Sequence, residues 1–148
     1  MPVETPKTYE EVRAAHRLEI PEFYNIADDI CDRHAAEHPD KEAFFIEHDD
    51  RVERVTYGTL RAQANAIANV LRDLGIKRGD RVAIVLPVDA AVPPTHTACW
   101  KMGVISCPMA VLFGPDALAY RFADAEVSAV VTDRARLPAV RQAAADAP

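Results

Sequence analysis

The sharpest candidate for chemistry in this 148-residue chain is His34-Ala-Ala-Glu-His38, two histidines one helical turn apart around a glutamate. That spacing can hold a metal ion between two imidazoles while Glu37 serves as a base. His38 directly precedes Pro39, however, and a residue before proline is pushed out of helical geometry. The second ligand therefore falls on a fraying helix end, no third is indicated, and the pattern reads as a solvated terminus. Phosphate binding by a loop needs clustered glycines, so that consecutive backbone N–H groups can approach the anion. The chain has only Gly58, Gly75, Gly79, Gly103 and Gly114, with no Gly-Lys-Ser/Thr among them. Neither a P-loop nor a dinucleotide fingerprint is present. Ser106 and Ser128 lie in or beside strand-like runs without the G-x-S-x-G turn, and Cys107 precedes Pro108 in an apolar run. Trp100 and Met102 read as core residues rather than cofactor contacts. Taken alone, the residues supply no catalytic set.

The elements that would position any site are clearer. Gly79 to Ala110, GDRVAIVLPVDAAVPPTHTACWKMGVISCPMA, opens with the apolar run Val82 to Leu86, which is stopped by Pro87. A strand with no polar alternation must be covered on both faces, as happens when crossover helices flank a parallel sheet. The helical pattern that follows tolerates Pro93-Pro94 only in its first turn, where amides lack intrahelical partners, so the regular helix is predicted from about Pro93 to Met102. Val104-Ile105 then starts a second strand. Ligands of such sheets sit beyond the carboxyl ends of the strands, here near Pro87 and Pro108 to Phe113.

Around this βαβ unit the other elements fall in order. Thr8 and Glu11 have capping-box spacing for a helix from about Tyr9 to Leu18. Asn25 can cap a second helix from Ile26 to Glu37, with Asp28 and Asp29 at its positive end. Ala43 to Glu47 and Val52 to Val55 read as a hairpin. Thr56 caps a helix whose stripe, Leu60, Ala64, Ile67, Leu71 and Leu74, faces the sheet, and Gly75 closes it. A further helix from Pro115 to Ala125, a strand from Ala129 to Thr132 and an Ala-rich helix from Arg136 to Ala145 complete the chain. The expected fold class is α/β: a partial doubly wound sheet, β-α-β-α-β-α, preceded by two helices and a hairpin.

Composition narrows function. Hydrophobic residues make up 49% and charged residues 27%, ordinary for a globular protein, and a chain of this length can bury roughly 68–70% of its unfolded surface. With 17 Lys+Arg against 23 Asp+Glu the net charge is −6, which argues against nucleic-acid or anionic-membrane partners. No membrane span and no signal-like segment is expected, and the expected location is cytoplasmic. Cys31, Cys99 and Cys107 are odd in number, form no C-x-x-C pair and read as reduced, buried thiols.

Read together, NIADDICDRHA, TYGTLRAQANAIANVLRDLGIKRGDRVAIVLP, ACWKMGVISCPM, LFGPDALAYRF and AVVTD resemble, in order and spacing, the amino-terminal part of an AMP-forming acyl-CoA synthetase of the adenylate-forming superfamily. The resemblance runs from about Tyr24 to Asp133. It implies a single incomplete domain over 1–148, with a helical segment at 1–40 and an amino-terminal α/β subdomain at 41–148. It implies a two-step reaction in which a carboxylic acid and ATP give an acyl-adenylate and pyrophosphate, and CoA then takes the acyl group. ATP, Mg2+ and CoA are the implied cofactors of the full-length family, and the remainder of the ligase is the implied partner. The family's phosphate loop, adenine and ribose motifs and catalytic lysine have no match here, so the chain alone is expected to lack activity and to bind none of these ligands by itself. The alternative is a non-catalytic binding or interaction module derived from the same scaffold. By resemblance, Phe113 and Gly114 lie against the CoA nucleotide, with Arg134 or Arg136 toward its phosphates. A sheet cut after its third strand is further expected to leave an edge open to self-association.

Overall fold

The computed structural model describes residues 8–19 and 21–146, so the first seven residues of the helical segment expected at 1–40 lie outside the described residues. A parallel sheet carries the fold. Its strands are β3 (Arg81–Val85), β4 (Ile105–Pro108) and β5 (Ala129–Thr132), in the order β4-β3-β5. β3 runs beside β4 from Arg81 opposite Ile105 to Ile84 opposite Pro108. On its other side, Val82 to Val85 lie opposite Ala129 to Thr132. The doubly wound α/β arrangement expected from the sequence is the one observed.

Side chains alternate across a strand, so β3 divides its apolar run between two cores. Val82 packs with Leu71, Ile76, Cys99 and Val104, beneath α3 (Tyr57–Asp73) and α4 (Val92–Met102). Ala83 and Val85 pack with Leu118, Phe122 and Val140, beneath α5 (Pro115–Asp124) and α6 (Leu137–Asp146). Each fully buried Val, Leu or Phe side chain contributes about 1.5–3 kcal/mol, so these two layers supply most of the stabilisation. A third cluster, Cys31, Val55 and Leu60 with Phe44 and Ile46, joins the antiparallel hairpin β1 (Glu42–Glu47) and β2 (Val52–Thr56) to the start of α3.

Local chemistry explains most boundaries. Thr56 accepts the Thr59 N–H at the start of α3, and Gly75 (φ 86°) and Gly103 (φ 67°) take the left-handed conformation that ends α3 and α4. The prolines of α4 sit in its first turn. Its buried hydroxyls are satisfied within the helix, Thr95 donating to the Ala91 carbonyl and Thr97 to that of Pro93.

Four expectations need correction. α1 (Tyr9–Ala15) stops before Leu18 because it buries no residue, and a short helix without packing does not propagate. The helix expected from Ile26 is not uniform: Asp28–Asp32 form a π-helical turn in which the Arg33 N–H donates to the Asp28 carbonyl, and α2 proper is Arg33–Glu37. Lys101 pairs with Asp32, tying this turn to α4. The Asn25 cap is present, its Oδ1 accepting the Ala27 N–H at 2.9 Å. Leu74 does not join the α3 stripe but stands 70% exposed, and Leu60 faces the hairpin cluster rather than the sheet. Finally, β4 begins at Ile105 rather than Val104, whose N–H instead donates to the Cys99 carbonyl at the end of α4, and it runs on to Pro108, which an edge strand tolerates because one side of its ladder is open.

Candidate nucleotide site at the carboxyl end of the sheet

Because all three strands are parallel, the segments that follow β3, β4 and β5 emerge on one side of the sheet. The loop after β4 is anchored by the Met109 N–H donating to the Ile84 carbonyl at 3.0 Å, and it turns where the Phe113 N–H donates to Ala110. Gly114 then stands at the cap position of α5, whose first helical bond runs from the Leu118 N–H to the Gly114 carbonyl.

Phe113 is half-buried against the α5/α6 core rather than exposed. One face of its ring is covered by the Arg121 guanidinium, 3.9 Å from the ring centroid, while Arg121 Nη1 donates to the Ala117 carbonyl. Gly114 has φ −73° and ψ 172°, a conformation open to any residue, and an added Cβ would meet nothing within 4 Å. Neither the backbone nor the packing requires a glycine there. Its backbone stands open to solvent beside Phe113.

The segment after β5 supplies the basic groups. Asp133 Oδ1 accepts the Arg136 N–H at 2.8 Å at the entrance to α6, and Asp133 Oδ2 pairs with Arg136 Nη1. Arg136 Nε is buried with no hydrogen-bond partner, a donor left over beside a carboxylate. Arg134 is exposed. Phe113 and Val140, one turn beyond Arg136, share the same core cluster, so both segments border one region.

The other sequence candidates do not assemble. His34 packs tilted against Tyr57 with centroids 4.8 Å apart, His38 caps the end of α2, and no group of His, Cys, Asp or Glu among the described residues could hold a metal ion. Burial pushes the Cys99 thiol up to about 11 and raises that of Cys31, so neither offers a thiolate. All three cysteines are free, and Cys107 is only half-buried. Sequence reasoning missed Arg121, whose role depends on a loop folding back over α5. It also missed His96, whose Nδ1 lies 3.0 Å from Ser106 Oγ and whose ring stacks on Trp100. Burial lowers the pKa of His96.

The fold is that of the amino-terminal region of adenylate-forming enzymes. The family described as AMP-binding enzyme matches residues 31–148, and the chain belongs to it. Acetyl-coenzyme A synthetase of Shewanella baltica (strain OS195) is 35% identical over 123 residues, covering 79% of this chain and 19% of that protein. The Shewanella sp. (strain MR-4) acetyl-coenzyme A synthetase is 36% identical over the same shares. Among solved structures, a Brucella canis acyl-CoA synthetase superposes with TM-score 0.73 and 29% identity, covering 84% of this chain and 23% of that one. A benzoate CoA ligase from Burkholderia xenovorans LB400 gives TM-score 0.75 and 26% identity over 84% and 24%. The chain thus spans about a fifth of the length of its curated relatives and corresponds to an amino-terminal region of acyl-CoA synthetases. No helix among the described residues is long and apolar enough to cross a membrane.

Proposed function

We propose that this chain is the amino-terminal part of an AMP-dependent acyl-CoA synthetase, which converts a carboxylic acid, ATP and CoA to acyl-CoA, AMP and pyrophosphate together with the remainder of the ligase. The observation that carries this reading is the family match over residues 31–148 on the matching fold. Within that enzyme the chain's own contribution is to the CoA nucleotide. Phe113 offers an aromatic ring beside the open backbone of Gly114, and the partly exposed Arg136 guanidinium offers a cation, so these residues fit an adenine and a phosphate. A phosphate approaching Arg136 would compete with Asp133 for the guanidinium. When bound, CoA supplies the thiol that accepts the acyl group.

ATP and Mg2+ do not fit these residues. The sequence has no glycine-rich cradle to orient a triphosphate, and among the described residues no carboxylate cluster could hold the Mg2+ that would neutralise it. The chain alone therefore forms no acyl-adenylate. Carboxylate-dependent pyrophosphate exchange tests this: the purified chain should stay at the no-enzyme blank, and exchange well above it overturns the reading. Adding the remainder of the ligase should restore exchange. Restoration without any dependence on this chain would favour the alternative, a non-catalytic module on the same scaffold.

A further inference from the structure

A second crevice opens at the carboxyl ends of β3 and β4, about 390 Å³ in volume, walled by Leu86, Pro87, Val92, Met109 and Val111 together with His96. We propose that this crevice is a binding site for a compact, uncharged and largely apolar ligand group that makes one hydrogen bond with His96. The inference stands apart from the nucleotide reading and uses none of its residues.

The wall chemistry selects the ligand. His96 is the one lining side chain that carries a nitrogen or oxygen atom, and the lining includes no Lys, Arg, Asp or Glu. A carboxylate or phosphate entering the crevice would lose its hydration with no cation to compensate, and an ammonium would meet no anion. An apolar group loses nothing by entry, and one polar atom on it can be satisfied by the imidazole. His96 is held ready for that role. Its Nδ1 is engaged by Ser106 Oγ at 3.0 Å and its ring lies against Trp100 with centroids 5.4 Å apart, which fixes the ring's orientation. The serine hydroxyl can donate or accept, so the imidazole can present either an N–H to a carbonyl or a lone pair to a hydroxyl. The volume is within the range of small-ligand sites, and the location is the usual crevice of an open parallel sheet. At the rim, Val88 and Leu112 stand 102% and 92% exposed, apolar surface that an occupant would cover.

Benzamide, benzoate and toluene provide a matched set of ring-sized probes, neutral polar, anionic and wholly apolar. Titrated into the 148-residue chain and followed through the His96 ring and Met109 methyl resonances, benzamide should give saturable shifts. Benzoate and toluene should each bind at least about tenfold more weakly, the worth of one good hydrogen bond or of an uncompensated charge. His96→Phe, which keeps the stack on Trp100, should cost benzamide about the same factor and leave toluene unchanged. Absence of saturable shifts at His96 and Met109 would overturn the proposal. So would equal binding of all three probes, or shifts centred instead on Val70 and Leu137. The three-probe comparison on the unmodified chain decides the matter even if the variant fails to fold.

Discussion

The guanidinium of Arg121 sits over Phe113, 3.9 Å from the ring centroid, so one face of the ring is occupied by a cation. A base must displace this guanidinium or stack on its outer plane, and stacking would also bring positive charge toward the phosphates. Phe113 and Arg121 therefore act as a unit. In the full-length ligase, Phe113→Ala and Arg121→Ala should each raise the Michaelis constant for CoA while adenylate formation stays near normal. If both half-reactions fall together with stability, the pair is only a packing contact.

Gly114 separates ligand demand from folding demand. Its φ of −73° suits any residue and its Cβ position is open, so Gly114→Ala gains about 0.4–1 kcal/mol through the unfolded state. Alanine is the poorer N-cap for α5 by a similar amount, so stability should stay within about 0.5 kcal/mol of wild type. The methyl added beside Phe113 should weaken CoA binding. A variant whose CoA affinity is unchanged would remove Gly114 from the site.

His96 makes stability depend on pH in a defined direction. Burial lowers its pKa in the folded chain, so the unfolded state binds the proton more readily. The contribution is fully present above the unfolded value of about 6.5 and is lost as pH falls below it toward the folded pKa. Chemical denaturation at pH 7.5 and 5.5 should show wild type losing more stability over that interval than His96→Phe. Equal losses would mean the imidazole titrates freely.

Glu126 is the one non-glycine residue with positive φ among the described residues, at 47°, and its carboxylate meets Arg81 at 2.5 Å. The left-handed backbone costs roughly 1–2 kcal/mol for a residue with a Cβ. The Glu126 side chain is 82% exposed, so the ion pair returns only a few tenths of that. Backbone strain outweighs the bridge, and Glu126→Gly should raise the unfolding midpoint by the equivalent of about 0.5–1 kcal/mol. A lower midpoint would show that Arg81 depends on this partner.

The local grammar of the chain was legible where one residue decides one conformation. Thr8, Thr56, Gly75 and Gly103 fix helix ends through a side-chain oxygen or a left-handed turn, and each does so in the structure. The doubly wound arrangement followed from the unbroken apolar run of β3, which has to be covered twice. Properties set by distant partners were not readable. The π-helical turn at Asp28–Asp32, held to α4 by Lys101, is one such case. The pairing of His96 with Ser106 is another, because it requires α4 to lie over an edge strand. Phe113 and Gly114 were marked by the family resemblance, whereas the cation over the ring arises from Arg121 of α5 reaching back to the loop before it.

The outer edge of β5 supplies the last prediction. The Ser128 N–H donates to the Arg81 carbonyl, so alternation directs Val130 and Thr132 toward β3 and leaves Ala129 and Val131 with N–H and C=O groups on the open side. Apolar grooves flank that edge. One of about 500 Å³ is lined by Val70, Leu74, Val131 and Leu137, and one of about 640 Å³ by Phe122, Val127 and Ala144. Val70 and Leu74, which border the first, are 59% and 70% exposed. An unpaired edge between apolar walls is a template for another strand, and the isolated chain should bind hydrophobic dye and self-associate as its concentration rises. Ala129→Pro tests the mechanism, because it deletes an N–H on the open side and no bond of the β3 ladder. Sedimentation should show the variant shifted toward monomer at equal secondary-structure content. A wild-type chain that stays monomeric, excludes the dye and unfolds in one sharp transition would show that the edge is protected by other means.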